Sequence, residues 1–517
     1  MRKNCSTAVA AASFLLLAGA AITVAPAAHA GAPGGTHASD RNTDFNGDGY
    51  EDVLTGAPGA TVGGDRGAGY IAVQYGSSGG ITAGNRTVID QDTAGVPGAT
   101  EPGDSLGKSL ASGDLDGDGY DDAIVGVPGE DIGTLADAGG VIILWGSPQG
   151  LSGSAAQWLE SDMPRQQETF GAGLAAARFS GDTPGDLLAV LDRDDLGIYL
   201  FGSAEQPVAG AERKATGAAR TPHQVHEDTT ALRNLGGSAR AAEAAAREIA
   251  PKSLTTGDYD NNGYADLVVS GVSIGDEPGH GWSVFFAGQQ DGLVHGRDLR
   301  GGPVAASGDI NSDGYDDLVT GEPNSPDDGG ETLTGGLVGV HYGSADGPVG
   351  TEGPDSPPQW WTQDSPGVPG TAEAGDGWGT DLSLGDTDGD GYADLAVGAA
   401  GEDIGTLADA GAVWVLRGSQ DGLTTTKAKD FNQDTDGVPG DPEKLDRFGG
   451  QARLVDPNRD GRFGLLASAP GENTDDGVVW VFSAGSGGVT APGSWTYGGG
   501  SLGAPAADAR FGAAIDD

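Results

Sequence analysis

Short apolar runs recur along the chain, each bounded by glycine-rich turns. One set is Tyr70–Tyr75, Val141–Trp145, Gly197–Phe201, Trp282–Phe286, Leu337–Tyr342, Ala412–Leu416 and Val478–Phe482. A second run precedes each of these: Val53–Gly56, Ala123–Gly126, Leu187–Leu191, Leu267–Ser270, Leu318–Gly321, Leu395–Gly398 and Leu465–Ser468. Turns such as Gly76-Ser77-Ser78-Gly79-Gly80 and Gly146-Ser147-Pro148-Gln149-Gly150 follow the first set. Runs of this length between glycine turns read as β-strands. Many are apolar at every position, as in Val141-Ile142-Ile143-Leu144-Trp145. A strand apolar on both faces is covered on both faces, as in a sheet standing between two others.

The chain also repeats itself. Gly129-Glu130-Asp131-Ile132-Gly133-Thr134-Leu135-Ala136-Asp137-Ala138-Gly139 recurs letter for letter from Gly401 to Gly411. Gln-Asp-x-x-Gly-Val-Pro-Gly begins at Gln91, Gln363 and Gln433. Seven copies of a strand-pair unit predict an all-β fold, a seven-bladed β-propeller. The tail from Ala509 to Asp517 contains Phe511-Gly512, which matches what precedes the loops elsewhere, as in Phe170-Gly171 and Phe448-Gly449. The C-terminal strand is therefore expected to join blade one and close the ring, which removes free sheet edges. Residues 44–517 read as this single propeller. Residues 204–253, rich in Ala, Arg and Glu, break the pattern and read as an irregular insertion, with a short helix over Ala239–Ile249.

The N-terminus has a different character. Met1-Arg2-Lys3, an apolar stretch around Phe14–Ala18 and Ala28-His29-Ala30 form a secretory signal peptide over residues 1–30. Residues 31–43 follow as a flexible leader. The mature chain is expected to be extracellular and monomeric. The one cysteine, Cys5, leaves with the signal, so stability rests on the core and on metal, not on disulfides. No later stretch holds 18 consecutive apolar residues, so no membrane span is expected.

Composition sharpens this picture. Glycine supplies 95 of 517 residues, more than twice the usual share. It lacks the three-residue period of collagen. Asp and Glu number 76 against 27 Lys and Arg, a formal charge of −49. Phosphate backbones and anionic lipid would repel such a chain, which excludes nucleic acid as a partner.

The acids are not scattered. Five loops share a nine-position pattern: Asp44, Asn46, Asp48, Tyr50 and Asp52; Asp114, Asp116, Asp118, Tyr120 and Asp122; Asp258, Asp260, Asn262, Tyr264 and Asp266; Asp309, Asn311, Asp313, Tyr315 and Asp317; Asp386, Asp388, Asp390, Tyr392 and Asp394. Side-chain oxygens stand at positions one, three, five and nine, glycine at six, and the tyrosine offers its backbone carbonyl at seven. Ca²⁺ takes about 6–8 such oxygens, so about five Ca²⁺ sites are expected. Mg²⁺ fits less well, because it keeps several waters in an octahedron. An EF-hand needs a glutamate at position twelve, where this chain has Thr55, Val125 or Val397 inside an apolar strand. The loop at 456–464 has Gly464 at position nine, and the one at 178–186 has lost most ligands. The five intact loops hold 20 of the 76 acids, so metal accounts for the clustering but not for the whole charge.

Phe-Gly, then the acidic loop, then Gly56-Ala57-Pro58 resembles the FG-GAP repeat of the integrin α-subunit N-terminal domain. Gly126-Val127-Pro128 and Ala469-Pro470 are close variants. The resemblance implies a seven-bladed propeller with Ca²⁺ in the hairpin loops of some blades. It leaves function open, because the repeat serves adhesion receptors, lectins and accessory parts of enzymes. The expected function is that of a binding or adhesion module for an extracellular protein or glycan. The alternative is a secreted hydrolase or polysaccharide lyase built on the propeller, since secreted phospholipases and lyases carry similar propellers. The Gly-x-Ser-x-Gly matches at Gly76 and Gly271 fall in β-turns, whereas a nucleophile elbow needs a strand–turn–helix. No catalytic residue is assigned. Trp158, Trp360, Trp361 and Trp495 lie outside the repeated strands and are expected to pack on outer strands rather than to stack on sugars.

Overall fold

The computed structural model describes residues 43–181, 185–193, 196–201, 222–227, 249–274, 280–324, 334–350 and 358–516. The signal peptide, the leader up to residue 42 and the helix reading over residues 239–248 lie outside these residues.

Seven four-stranded antiparallel sheets make up the fold. Given from inner to outer strand, blade one is Ala514–Asp516, Val53–Ala57, Tyr70–Gln74 and Arg86–Ile89. Blade two is Leu110–Gly113, Asp122–Val127, Gly140–Leu144 and Gln157–Leu159. Blade three is Gly173–Ala177, Leu187–Leu191, Leu196–Phe201 and Pro222–Glu227. Blade four is Ile249–Gly257, Asp266–Ser273, Gly281–Ala287 and Val294–Arg300. Blade five is Val304–Gly308, Asp317–Glu322, Leu337–His341 and Gln359–Trp361. Blade six is Trp378–Gly385, Asp394–Ala399, Ala412–Arg417 and Thr424–Phe431. Blade seven is Ala452–Val455, Gly464–Ala469, Val478–Gly485 and Gly488–Tyr497. The inner strands line a central cavity of about 640 Å³.

The stretch read as an irregular insertion is partly regular. Residues 222–227 pair with Leu196–Phe201 as the outer strand of blade three. Ile249–Gly257 is the inner strand of blade four, so residues 249–253 belong to the repeat. The sequence hid this because inner strands face the cavity and are half polar. Ile249–Gly257 is intermediate at most positions, unlike the fully buried second strands.

The all-apolar strands follow from where their two faces point. In blade two, Ile142 and Leu144 pack with Leu54, Ile71 and Val73 of blade one. Their neighbours Val141 and Ile143 pack with Leu188, Val190 and Tyr199 of blade three. Each strand thus belongs to two cores, and each such side chain contributes roughly 1.5–3 kcal/mol by leaving water.

The Phe-Gly and Gly-Ala-Pro motifs meet at the blade junctions. A Cβ on Gly56 would lie 2.0 Å from the Gly107 carbonyl oxygen of the next blade. Gly321 against Gly379 and Gly398 against Gly449 repeat the approach at 2.4 and 2.2 Å. Within a blade, the Gly107 N–H donates to the Gly126 carbonyl at 3.0 Å. Blade one receives the same bond from the far end of the sequence: Gly512 N–H donates to Gly56 at 3.0 Å, and Ala514 pairs with Gly56 in the ladder. Phe511 is buried against Tyr70 and Tyr497.

Gly56→Ala is expected to destabilise the chain by about 1–3 kcal/mol in chemical denaturation, because backbone must move to admit the methyl. Gly79→Ala, where the nearest atom is the Ser77 hydroxyl at 3.8 Å, is expected to leave stability unchanged.

Candidate metal centre

In an antiparallel four-stranded blade, the hairpin from inner to second strand lies at one end of the ring. The hairpin from second to third strand and the crossover to the next blade lie at the other end. Four of the acidic loops join inner to second strands, and the blade-one loop leads into its second strand Val53–Ala57 at the same end, so all five gather there.

The local fold repeats in each. The position-one aspartate accepts from the backbone. Asp114 Oδ1 takes the Asp118 N–H at 2.9 Å and Oδ2 takes the Gly119 N–H at 3.0 Å. Asp44, Asp258, Asp309 and Asp386 do the same with their own loops. The glycine at position six has φ near +90° in all five, a left-handed conformation that makes glycine the natural residue there. At position three, Asn46, Asp116, Asp260 and Asn311 accept the N–H of position five. At position five, Asp48, Asp118, Asn262, Asp313 and Asp390 accept the N–H of the tyrosine.

Position nine has a role the sequence did not reveal. Asp52, Asp122, Asp266, Asp317 and Asp394 are at most 1% exposed. In each, one oxygen takes the N–H of position two and the other takes a glycine N–H just beyond the third strand. For Asp122 these donors are Leu115 at 3.1 Å and Gly146 at 2.9 Å. For Asp266 they are Tyr259 at 2.9 Å and Gly288 at 2.7 Å. Asp52, Asp317 and Asp394 bond in the same way. Position two is a plug: Phe45, Leu115, Tyr259 and Ile310 are fully buried. The tyrosines also use their rings. Tyr120 of blade two lies over Gly47 of the blade-one loop, where a Cβ would meet it at 2.5 Å.

The loops are linked around the ring. The position-eight N–H donates to the position-one carbonyl of the preceding loop, as from Asp121 to Asp44 at 3.2 Å, Asp316 to Asp258 at 3.1 Å and Ala393 to Asp309 at 3.1 Å. Where position eight is acidic, its side chain returns the bond. Asp121 accepts from Asp44 N–H at 2.7 Å, Asp316 accepts from Asp258 N–H at 2.8 Å, and Glu51 accepts from Asp456 N–H.

Positions one, three and nine converge. Carboxylate oxygens lie within 4.8 Å of one another in Asp114, Asp116 and Asp122, in Asp258, Asp260 and Asp266, and in Asp386, Asp388 and Asp394. In the other two loops the third position is Asn46 or Asn311, whose amide oxygen is also a hard donor. Burial, reinforced by the neighbouring acids, pushes Asp52 and Asp266 up to about 8, Asp317 to about 7 and Asp114 to about 6. Asp122 is raised well above the ordinary carboxylate range by the same causes. Hydrogen-bonded oxygens still hold a spare lone pair, so these loops offer what a divalent cation would ligate and neutralise.

The sixth blade departs from the pattern. Arg417 reaches into its loop, 2.5 Å from Asp394 Oδ2 and 3.3 Å from Asp388 Oδ2. Asp388 Oδ1 stays buried with no hydrogen-bond partner. The seventh loop keeps the backbone pattern around Asp456 and Asp460, but Gly464 leaves it without a position-nine carboxylate. Residues 182–184 of the third loop lie outside the described residues. Among the four outer tryptophans, Trp158 packs over Gly140 and Trp360 over Gly339, and Trp360 remains 38% exposed.

Seven four-stranded blades, five of them with an intact acidic hairpin loop, define a β-propeller. Within that class the chain carries FG-GAP repeats, matched at residues 38–73, 106–144, 301–334 and 378–416, and its architecture is consistent with the N-terminal domain of integrin α subunits. It is 31% identical over 147 residues to phosphatidylinositol-glycan-specific phospholipase D of Rattus norvegicus, a match to 28% of this chain and 17% of that protein. The Bos taurus protein of the same name matches at 31% over 150 residues, with the same coverage. The chain thus spans 17% of the length of these curated relatives. Among solved structures, Chaetomium thermophilum Sqt1 is similar with a TM-score of 0.38 and 12% identity, over 72% of this chain and 68% of that one. A triple arginine mutant of AofleA from Arthrobotrys oligospora has a TM-score of 0.31 and 12% identity, over 75% of this chain and 88% of that one.

Asp122→Ala is expected to cost about 1–3 kcal/mol for each backbone N–H it orphans, read by denaturant unfolding. The metal-free chain is expected to lose stability as pH rises from about 4 to about 8. Unfolded aspartate ionises near 3.9, while folded Asp52 and Asp266 hold their protons to about 8, so the folded state binds more protons across that window. Thermal melts of chelator-treated protein across this range check the slope.

Proposed function

We propose that this FG-GAP propeller is a secreted calcium-binding module that engages an extracellular protein or glycan. The observation that carries this reading is the convergence of carboxylate oxygens in three loops at one end of the ring, with the same loop hydrogen-bond pattern in two more. An all-oxygen donor set with spare lone pairs suits Ca²⁺. The ions would hold inner to second strands and add stability by binding only the folded state. The opposite end, built from the longer hairpins at 58–69, 128–139 and 400–411 and from the crossovers, would then be free to present a ligand surface.

A second reading is favoured by one observation, the similarity to a phospholipase D. Under it the propeller would serve a hydrolase. Retention on a glycan or matrix-protein array without turnover supports the binding reading. Turnover on a panel of ester and polysaccharide substrates, lost on mutation of an acid outside the loops, would overturn it.

Chelation is expected to lower the melting temperature, and Asp118→Ala to remove about one ion per chain by metal analysis. Fewer than three Ca²⁺ per chain at saturation would sink the five-loop reading. Arg417→Gln is expected to tighten calcium binding at the sixth loop roughly tenfold or more, the scale of one close buried charge pair. Calcium titration calorimetry against the parent chain reads this directly.

A further inference from the structure

A second polar cluster recurs at the end of the ring opposite the acidic loops. Its three copies are Gln91, Asp104 and Glu130; Gln363, Asp376 and Glu402; and Gln433, Asp446 and Glu472. In each, the glutamine opens the crossover that leaves one blade's outer strand. The aspartate stands just before the next blade's inner strand, and the glutamate sits where that blade's second strand turns into its third. Glutamine Nε2 donates to glutamate Oε2 at 2.9, 2.8 and 2.7 Å. One aspartate oxygen, Oδ2, takes a backbone N–H at 2.6 Å in every copy. In two copies the carboxyls touch: Glu402 hydrogen-bonds Asp376, and Glu472 hydrogen-bonds Asp446.

An independent observation points to a ligand. Gln91, Gln363 and Gln433 are only 4, 1 and 2% exposed, and among the described residues Oε1 of all three is buried with no hydrogen-bond partner. Buried polar atoms are almost always satisfied, so an orphan acceptor recurring three times in one place marks a partner yet to be supplied. Flipping the amide does not help, since Oε1 would then face a carboxylate.

The third and fifth blades carry a built-in cation at the corresponding junctions. In blade three, Glu168 precedes Phe170-Gly171 as Asp104 precedes Leu106-Gly107. Here Arg165 bridges Glu168 at 3.1 Å and Asp192 at 3.2 Å. In blade five, Arg300 from the crossover faces Glu322 at 3.5 Å. Among the described residues, the three glutamine clusters hold two carboxyls with no such guanidinium.

We propose that the three Gln–Asp–Glu clusters are divalent-cation sites of the Ca²⁺ class, separate from the hairpin loops, with Gln Oε1, Asp and Glu as ligands. Two carboxylates match the charge of one dication, and every donor is a hard oxygen. Each ion ties a crossover to the hairpin of the blade it enters, which stiffens the rim at the end away from the loops.

Crystals of the protein soaked in Mn²⁺ test this by anomalous scattering. The expected result is density at all three clusters and, in Glu402→Gln, loss of the peak beside Gln363 alone. In solution, the triple variant Glu130→Gln, Glu402→Gln, Glu472→Gln should bind three fewer ions per chain than the parent at saturating Ca²⁺. No anomalous density at the clusters, or an unchanged ion count in a folded triple variant, overturns the inference. Filled hairpin loops beside empty clusters sink this inference and spare the loop reading, and filled clusters beside empty loops do the reverse.

Discussion

One buried carboxylate organises each intact blade. The position-nine aspartate sits at the base of the second strand, fully covered, and holds two backbone N–H groups that belong to different turns. One belongs to the loop that precedes it, the other to the glycine after the third strand. Three strands are thereby set in register at their common end. A buried charge with two good donors but no counter-charge is still costly, which is why burial lifts these groups so far. The acids of positions one and three stand within reach of the same point. The need of the fold for a buried acceptor and the ability of the loop to hold an ion thus arise from the same side chain. Blade six reaches a different resolution, with Arg417 supplying the missing positive charge from within the chain.

The ring depends on a second constraint, the sharing of every middle strand between two cores. Alternate residues of Gly140–Leu144 face opposite neighbours, and no blade buries its own sheet alone. The close glycine contacts at the Phe-Gly and Gly-Ala-Pro motifs set how near adjacent blades can come. The acidic ends add a belt of reciprocal hydrogen bonds from loop to loop. Packing sets the spacing in the middle, and polar contacts set it at the end.

Much of this was legible in the sequence. The second and third strands advertise themselves by being apolar throughout, because both faces are covered. The inner strands do not, since one side faces the cavity, and Ile249–Gly257 was therefore hidden in a stretch that looked irregular. The spacing of oxygens within nine residues revealed the loops, since their contacts are local. The partners that lie far along the chain left no mark. Gly146 binding Asp122, Arg417 entering the sixth loop and Glu51 reaching Asp456 all needed the fold before they could be seen. The repeated Gln-Asp-x-x-Gly-Val-Pro-Gly and Gly-Glu-Asp motifs were visible as letters. Their meeting across a blade junction was not, because the glutamine and glutamate of each cluster stand 39 residues apart.

The pairing of Ala514–Asp516 with Val53–Ala57 has a consequence for how the chain comes together. Blades two to seven are each assembled from contiguous sequence, so the strands of each are all present before the next blade begins. Blade one is not, because its innermost strand comes after all the other blades in the sequence. Until that strand pairs, the edge of Val53–Ala57 stays open, and the core between blades seven and one lacks Phe511 and Ile515. The contact that completes the circle spans nearly the whole polypeptide, the kind of long-range pairing that slows folding and leaves an adhesive edge exposed meanwhile. Closing the ring thus requires strands more than 450 residues apart to pair, as Gly56 does with Ala514.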